Sequence, residues 1–337
     1  MALPPLEAEH EAERPDADAS ASVPETKIHG RSPAQIAFQR LRNDKVAVIC
    51  ACIVLFFVLI AIFAPLLTNL WGVEVRAGDP TDDLDIMTGY GKVGPPYEPF
   101  SWSHPLGVEP NSGDDLLAEW FYGARTSLFV ATVATVTTTV IGIVVGLVAG
   151  FATGWLDRVI QFIIDVFLSF PFLLGALTLA PIVVSRFADQ PDALTKAQFG
   201  ALLFVLTIFG WMALARLVRG EVLSLREREF VEAARAIGVP TRSILFRELL
   251  PNLTAPIIVS ISLGLPAFVT AEAGLAYLGI GVTGTPSWGQ TINRAQTQFE
   301  IFPLFLWAPV IGIMALVLAL NLLGDSVRDA FDPKTRR

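Results

Sequence analysis

Few side chains in this sequence have the types and spacing that catalysis or metal binding requires. The three histidines are spread over a tail and a loop, at His10, His29 and His104, so neither a metal centre nor a catalytic triad is expected. A nucleotide-binding loop needs Gly-x-x-x-x-Gly-Lys followed by Ser or Thr, but Val93 follows Gly91-Lys92. We therefore predict no catalytic residue, no metal site and no cofactor on this chain.

Two carboxylates lie within apolar stretches, where an acid indicates a functional residue by default. Asp165, in VIQFIIDVFLSFPF, would serve a proton relay, or would form a structural pair with Arg158, Gln161 or another chain. We favour the structural role, because one acid without a second titratable group inside the membrane makes a poor relay. Glu272, in TAEAGLAYLGIGV, lies near the end of an apolar stretch whose glycines permit a bend.

The composition indicates a membrane protein with several spans. Hydrophobic residues make up 53% of the 337 residues and charged residues 17%, whereas a soluble domain carries about 25% charged residues. A net charge of -8 and a pI of 5.0 argue against a nucleic-acid partner, which requires clustered Lys and Arg. Cys50 and Cys52 lie in the apolar run VAVICACIVLFF, which favours lipid or packed helix over metal binding or palmitoylation.

Six apolar stretches have the length of a membrane-spanning helix, which needs about 20 residues. They are residues 46–70, 128–151, 159–184, 200–217, 255–278 and 304–323. The second is rich in β-branched residues, but in lipid the backbone groups must pair within the segment, so a helix is expected. Its Gly142, Gly146 and Gly150 form a stripe suited to close helix contact, although such glycine content is also ordinary for membrane helices.

The positions of the charges predict how the spans are oriented, because Lys and Arg concentrate in cytoplasmic loops. Basic residues precede the first span, follow the last and occur between the fourth and fifth, whereas the loop after the first span is acidic. We expect both termini in the cytoplasm of a cell-membrane protein. The predicted segments are a disordered acidic tail (1–33), a lead-in and first span (34–70), an outer loop (71–124), a five-span core (125–324) and a C-terminal tail (325–337).

The segment FVEAARAIGVPTRSILFRELLPN is charged although it lies between two apolar stretches. Residues 221–237 predict a helix with Phe230, Ala234 and Ile237 on one stripe and the charge pairs Arg228/Glu232 and Glu232/Arg235 on the other side. Gly238, Val239 and Pro240 end this helix, because Gly tolerates positive φ and Pro lacks the N–H that a helix needs.

Thr241 is predicted to be the N-cap of a second short helix that reaches Leu249. The two helices would form a compact projection into the cytoplasm, and we call residues 221–251 the knob. The small Ala233 and Ala234 would allow another protein to approach the helix backbone closely. An interfacial helix with a solvated charged face remains the alternative.

Several ordered motifs resemble those of a known transporter family. EAARAIG, followed by Leu250 and Pro251, resembles the EAA signature of ABC importer permeases; Glu248 departs from the aliphatic residue that the family often has there. Residues 32–333 resemble the C-type subunit of the dipeptide/oligopeptide permease group in a motif series: HPLG, YGARTSL, LSFP, ARLVRGEVLSLREREFVEAARAIG, PSWG and NLLGDSVRDAFDP. The expected fold is therefore all-α, with six transmembrane helices in a MetI-like type I importer arrangement.

The resemblance implies a non-catalytic permease subunit that forms half of a translocation pathway for di- or oligopeptides. Its partners would be a homologous second permease, two ATP-binding subunits that hold ATP and Mg, an extracytoplasmic substrate-binding protein and the lipid bilayer. The expected contacts with the ATPase subunits are Glu232, Ala233, Ala234, Gly238, Thr241 and Arg242. The expected pathway-lining residues are Glu272, Tyr277 and Phe170, although Glu272 is equally suited to a helix cap or an interhelical hydrogen bond.

Two other interpretations stay open at this point. A secondary transporter or channel would work without ATPase partners and would show internal inverted repeats or broken midplane helices, and the sequence has no clear repeat. A permease of the same family could instead import nickel, glutathione or another small solute. Trp288 and Trp307 are predicted to be interfacial anchors rather than residues that stack on a substrate.

Overall fold

The computed structural model describes residues 33–75, 101–109 and 112–332. The predicted acidic tail and most of the outer loop therefore lie outside the described residues. The described residues are helical, with one isolated bridge between Val108 and Asp115. Within these ranges, five stretches are long and apolar enough to cross a membrane: Lys45–Trp71, Leu116–Phe151, Ala193–Leu225, Thr254–Tyr277 and Pro303–Phe331.

We number the helices in chain order. They are α1 (Pro33–Asn43), α2 (Lys45–Trp71), α3 (Leu116–Phe151), α4 (Trp155–Ser169), α5 (Phe172–Ser185), α6 (Pro191–Gly210), α7 (Met212–Leu225), α8 (Glu229–Ala236), α9 (Thr254–Tyr277), α10 (Trp288–Ala295) and α11 (Pro303–Phe331). Between α8 and α9 the chain forms the short helical pieces Thr241–Ser243, Ile244–Leu249 and Leu250–Asn252, of which the middle one has π-type hydrogen bonding.

The predicted third span, residues 159–184, is not one straight helix. It consists of α4 and α5, which meet at an angle of 92°, and a count of six spans holds only if this bent pair is one span. The break falls at Phe170 and Pro171, which have extended backbone conformations. Proline removes a backbone donor and disfavours the helical region for the residue before it, so the sequence stops the helix here.

α3 begins well before the predicted second span. Asp115 has an extended conformation, and its carboxylate accepts hydrogen bonds from the N–H groups of Leu117 and Ala118 at 2.8 and 3.0 Å. This N-cap satisfies donors that the first helical turn leaves unpaired, so the helix starts at Leu116. At about 1.5 Å per residue, its 36 residues carry it well past the thickness of a bilayer core.

The glycine stripe of α3 packs against α7, which confirms the predicted close contact. A Cβ at Gly146 would lie 2.7 Å from the Ala215 carbonyl oxygen, and one at Gly150 would lie 2.6 Å from Cβ of Val222. Neither distance is compatible with a side chain larger than hydrogen. The two helices therefore touch backbone to backbone along the stripe.

Candidate functional site

The knob contains a helix that ends and restarts, where the sequence predicted continuous helix over 221–237. α7 ends at Leu225 and α8 begins at Glu229, with Arg228 in an extended conformation between them. Arg226 Nη1 donates to the Gly150 carbonyl oxygen at 3.2 Å. This long-range bond fixes the break in the helix against the C-terminal end of α3, a tertiary contact that local periodicity cannot reveal.

The stripe by which α8 packs differs from the predicted one. Val231 and Ala234 are buried, whereas Phe230 is 40% and Ile237 is 81% exposed. Among the described residues, neither of the two predicted charge pairs of α8 comes within ion-pair distance. The Arg235 guanidinium instead lies 4.6 Å from the centre of the Phe151 ring, a cation–π contact with the end of α3.

Gly238 ends α8 through a specific hydrogen-bond pattern. Its φ is +80°, its N–H donates to the Arg235 carbonyl, and the Val239 N–H donates to the Ala234 carbonyl, both at 3.0 Å. These two bonds form a Schellman motif, in which the residue after the helix adopts the left-handed conformation that glycine favours. The predicted role of Gly238 as the end of the helix is confirmed.

Thr241 does not cap the second helix of the knob, contrary to the sequence-based prediction. Pro240 occupies the N-cap position with φ −64° and ψ 141°, and Thr241 is the first helical residue. A proline fixes its own φ near the value found here and needs no hydrogen-bond donor, so it can begin this turn without help from a side chain. Thr241 and the adjacent Arg242 are both exposed.

Most of the residues predicted to contact an ATPase subunit are exposed on the knob. The exposed members are Glu232, Ala233, Gly238, Thr241 and Arg242. Ala234 was also predicted to contact an ATPase subunit, but it is 8% exposed and faces the chain's own core. Its small size permits internal packing. Ile237 and Phe246, which are 81% and 47% exposed, add an apolar surface that the sequence analysis did not assign.

The inner side of the knob packs firmly on the ends of the spans. Val231 and Ala234 of α8 belong to one buried cluster with residues from α3, α7, α9 and the segment before α9: Leu147, Val218, Val222, Ile244, Leu249, Leu253 and Ile257. Close-packed side chains of this kind resist relative movement. A force applied to the exposed surface of the knob would therefore be transmitted directly to several spans.

Ion pairs connect α4 to α7 near the knob. Arg216 contacts the Asp165 carboxylate, and both side chains are about half exposed. Arg219 binds Asp157 through two bonds of 2.7 and 3.0 Å, and these side chains are about one-fifth exposed. The predicted structural pairing of Asp165 thus has a partner in α7, and not Arg158 or Gln161 as its neighbours in sequence suggested.

A second charged cluster lies at the opposite end of α3. Arg294 of α10 forms ion pairs with Glu109, in the loop before α3, and with Glu119 in the first turns of α3. The Thr291 hydroxyl donates to the second Glu119 oxygen at 3.0 Å. Both carboxylates are buried. The cluster ties this loop, α3 and α10 together; its charged residues were absent from the predicted site because they lie far apart in the sequence.

Comparison with known proteins places the chain in a transporter family. Residues 142–337 match the model for the binding-protein-dependent transport system inner membrane component, and residues 32–83 match that for the N-terminal transmembrane domain of oligopeptide transport permease C. The chain belongs to this permease family. The predicted resemblance to the dipeptide/oligopeptide group of ABC importer permeases is thereby confirmed, and so is the all-helical multi-pass fold.

Relatives and a solved structure agree with this assignment. The chain is 34% identical, over 98% of its length and all of the relative's, to the dipeptide transport system permease protein DppC of Alkalihalophilus pseudofirmus. It is 36% identical, over 91% of its length and 92% of the relative's, to the glutathione transport system permease protein GsiD of Salmonella typhimurium. An inward-facing structure of the MetNI methionine ABC transporter matches 64% of this chain and 96% of its own with a TM-score of 0.51 at 21% identity, which supports the fold.

The predicted pathway-lining residues of this permease occupy different environments. Glu272 is 1% exposed and lies inside the chain, so we do not assign it a direct contact with the solute. The Tyr277 hydroxyl donates to Gln296 Oε1 at 3.0 Å, and the ring is 38% exposed. Phe170, at the break between α4 and α5, is 51% exposed and stacks on Phe209 with 6.0 Å between ring centres.

The two tryptophans that were predicted to be interfacial anchors differ. Trp307 is 52% exposed, as an anchor would be, but Trp288 is completely buried. The Trp288 indole donates to the Trp120 carbonyl at 3.0 Å and packs edge-on against Phe57. Gly123 makes room for this ring, since a Cβ there would lie 2.6 Å from Cδ1 of Trp288. The PSWG motif therefore supports the core of the permease.

One face of α9 carries small side chains. Its outward stripe consists of small or hydroxyl residues with Tyr277 at the end: Ser260, Gly264, Ala267, Thr270 and Gly274. Apart from Ile261, the large apolar residues that are exposed on other spans, such as Leu55, Phe56 and Ile62 of α2, have no counterpart here. Beside this face lies a cavity of about 370 Å³, whose lining is mostly apolar, with Leu214, Leu217, Leu263 and Phe268, and also includes Thr135, Thr138, Thr139 and Ser260. Small side chains of this kind let another helix or a solute approach the α9 backbone closely.

Proposed function

We propose that this permease imports short peptides, and that it is driven by ATPase subunits that bind the exposed surface of the knob. The observation that carries the proposal is the position of the knob: its outer surface is free in this chain, while its inner surface belongs to the buried cluster that joins α3, α7 and α9. A motion of the ATPase subunits would thus move the spans as a unit. Peptides are proposed because relatives are named for dipeptide and glutathione transport.

The proposed assembly contains a second, homologous permease, two ATPases that hold ATP and Mg, and an extracytoplasmic substrate-binding protein. Both termini and the knob lie in the cytoplasm in this proposal. The ion-pair cluster of Glu109, Glu119 and Arg294 then faces outward, because Glu119 lies in the first turns of α3 and the Arg226 contact with Gly150 lies near its last turn. The face of α9 that carries small side chains would line half of the translocation pathway.

The test is to obstruct the surface of the knob without disturbing the fold. Ala233→Trp places a large ring on an exposed position, so the assembled complex should insert but lose ATP-driven uptake, while the ATPase subunits dissociate or hydrolyse ATP without transport. Ala188→Trp, an exposed alanine between α5 and α6, controls for added bulk and should transport normally. Normal uptake by the Ala233→Trp variant would reject the docking surface.

A further inference from the structure

Arg125 of α3 is an exposed cation without an acidic partner among the described residues. By contrast, Arg216, Arg219 and Arg294 each pair with a carboxylate. Arg125 lies about 14 Å along the helix from Leu116, at about 1.5 Å per residue, which places it near the start of α3 and before the predicted second span (128–151). An exposed guanidinium in this position is open to an anion from outside the chain.

The Arg125 side chain borders a cavity of about 280 Å³. The other lining residues are Tyr122, Thr126, Phe129, Phe199 and Thr285. The hydroxyls of Tyr122, Thr126 and Thr285 make no hydrogen bond within the part of the chain that the structure describes. Phe129 and Phe199 meet edge-on, with 6.1 Å between ring centres, and close one wall with apolar surface.

This arrangement has the chemistry of an oxyanion site. A guanidinium presents a planar fork of N–H donors that matches the two oxygens of a carboxylate or phosphate, and the three hydroxyls can donate further hydrogen bonds. The two phenylalanine rings add apolar surface against which the nonpolar part of a ligand can pack. An arginine that merely extends to the lipid surface needs neither the hydroxyls nor the cavity.

A second cavity, of about 520 Å³, adjoins the first and shares Tyr122 and Thr285 with it. Its lining includes Glu74 and Asn69, and Glu74 also has no ion-pair partner among the described residues. A carboxylate thus lies beside the space that Arg125 borders. A peptide with free termini carries both the carboxylate that Arg125 would bind and the ammonium that Glu74 would bind.

We propose that Arg125 binds an oxyanion at the end of α3 that lies outside the cell. The oxyanion could come first from a peptide entering the pathway, as its terminal carboxylate. This possibility rests on the proposed import of peptides. The second source is the phosphate of an anionic lipid. In both cases Arg125 and the surrounding hydroxyls hold the same group.

The experiment measures how fast phenylglyoxal modifies Arg125 in the assembled transporter, read by peptide mass spectrometry. The complex is placed in phosphatidylcholine nanodiscs or in nanodiscs that also contain phosphatidylglycerol. Each preparation is labelled alone, with dialanine and with dialanine amide, which lacks the carboxylate. Arg186, an exposed residue between α5 and α6, serves as an internal control, because its labelling should not respond to any of these additions.

We expect dialanine, but not dialanine amide, to slow the modification of Arg125 by phenylglyoxal. This result would identify the peptide carboxylate as the bound group. Protection by phosphatidylglycerol regardless of peptide identifies the lipid phosphate. Equal labelling in every preparation overturns the oxyanion site. A charge-assisted hydrogen bond contributes about 1.5 to 3 kcal/mol, so Arg125→Gln should raise the KM for uptake about tenfold or more, with Arg125→Lys in between. Loss of ATPase docking would abolish uptake without changing protection, so the two proposals fail separately.

Discussion

Arg294 of α10 and Glu109 of the loop before α3 form an ion pair, with 2.8 Å between Nε and Oε1. The same guanidinium also contacts Glu119, so one cation lies between two buried carboxyl groups. Burial and the charge of Glu119 raise the pKa of Glu109 to about 8. For Arg294, burial acts against the charge, but the carboxylates of Glu119 and Glu109 outweigh it and raise the pKa.

The first prediction is that this cluster makes the stability of the permease depend on pH. Between the ordinary pKa of 4.5 and the raised value of about 8, the folded state holds a proton on Glu109 that the unfolded state has lost. Stability therefore falls as the pH rises through this window, and below it Glu109 contributes no pH dependence. The melting temperature of the purified permease should decline across the window, and Glu109→Gln should flatten that decline. An unchanged slope in the variant would contradict the assignment.

The second prediction concerns Gly238, whose φ of +80° carries an energetic cost for other residues. No atom lies within 4 Å of a Cβ built there, so the cost of Gly238→Ala is backbone strain alone, about 1 to 2 kcal/mol. A β-branched substitution such as Gly238→Val should cost more. Thermal unfolding in detergent measures both effects.

Gly220 is the matched control for Gly238. It lies within α7, has no positive φ and also faces open space, so Gly220→Ala should be neutral or stabilising because alanine favours helix. Equal melting temperatures for the two alanine variants would show that the Schellman motif at Gly238 does not stabilise the knob.

The sequence predicted what depends on local chemistry or on composition. Apolar length indicated the spans, the glycine stripe of α3 indicated its close contact, and Gly238 with Pro240 indicated the bend of the knob. Tertiary contacts decided the rest. Arg226 reaches the Gly150 carbonyl and stops a helix whose periodicity continues, and complete burial of Trp288 overrides the usual preference of tryptophan for the membrane surface.

The same division between local sequence and tertiary contacts applies to the candidate site. The exposed residues of the knob follow from a contiguous motif, whereas the cluster at the other end combines Glu109, Glu119 and Arg294, which are far apart in the sequence. Pairing partners were equally hidden: Asp165 has Arg158 and Gln161 close in sequence, yet it binds Arg216 because α4 packs against α7. One signal in the sequence was not used: an acid such as Asp115 is a typical N-cap. It could have indicated that α3 begins at Leu116, close to Glu119.

The third prediction ranks the two ion pairs between α4 and α7. Arg219 and Asp157 form two hydrogen bonds and are about one-fifth exposed, so we expect a coupling free energy of about 1 to 3 kcal/mol. Asp165 and Arg216 are about half exposed and share a single contact, so we expect the smaller coupling for this pair. Both couplings can be measured by double-mutant cycles with Asp→Asn and Arg→Gln variants, in which the free energy of unfolding is determined for each variant. A larger coupling for the exposed pair would contradict this ranking.

The fourth prediction uses glycine substitutions to distinguish residues that are needed for helix packing from residues that line the pathway. Gly264 and Gly274 of α9 have no atom within 4 Å of a built Cβ, so Gly264→Leu and Gly274→Leu should leave the stability of the chain unchanged or raise it. If the α9 face lines the pathway, both variants should nevertheless lose most of their ATP-driven uptake.

Two controls make that result specific, because each isolates one of the competing explanations. Gly146→Ala brings a Cβ to 2.7 Å from the Ala215 carbonyl oxygen and should destabilise the chain by about 1 to 3 kcal/mol through overpacking. Ala51→Leu enlarges an exposed residue of α2, on the face with large apolar side chains, and should change neither stability nor uptake. Normal uptake by Gly274→Leu would place the small face of α9 away from the path of the solute, since a leucine there narrows any passage that the face borders.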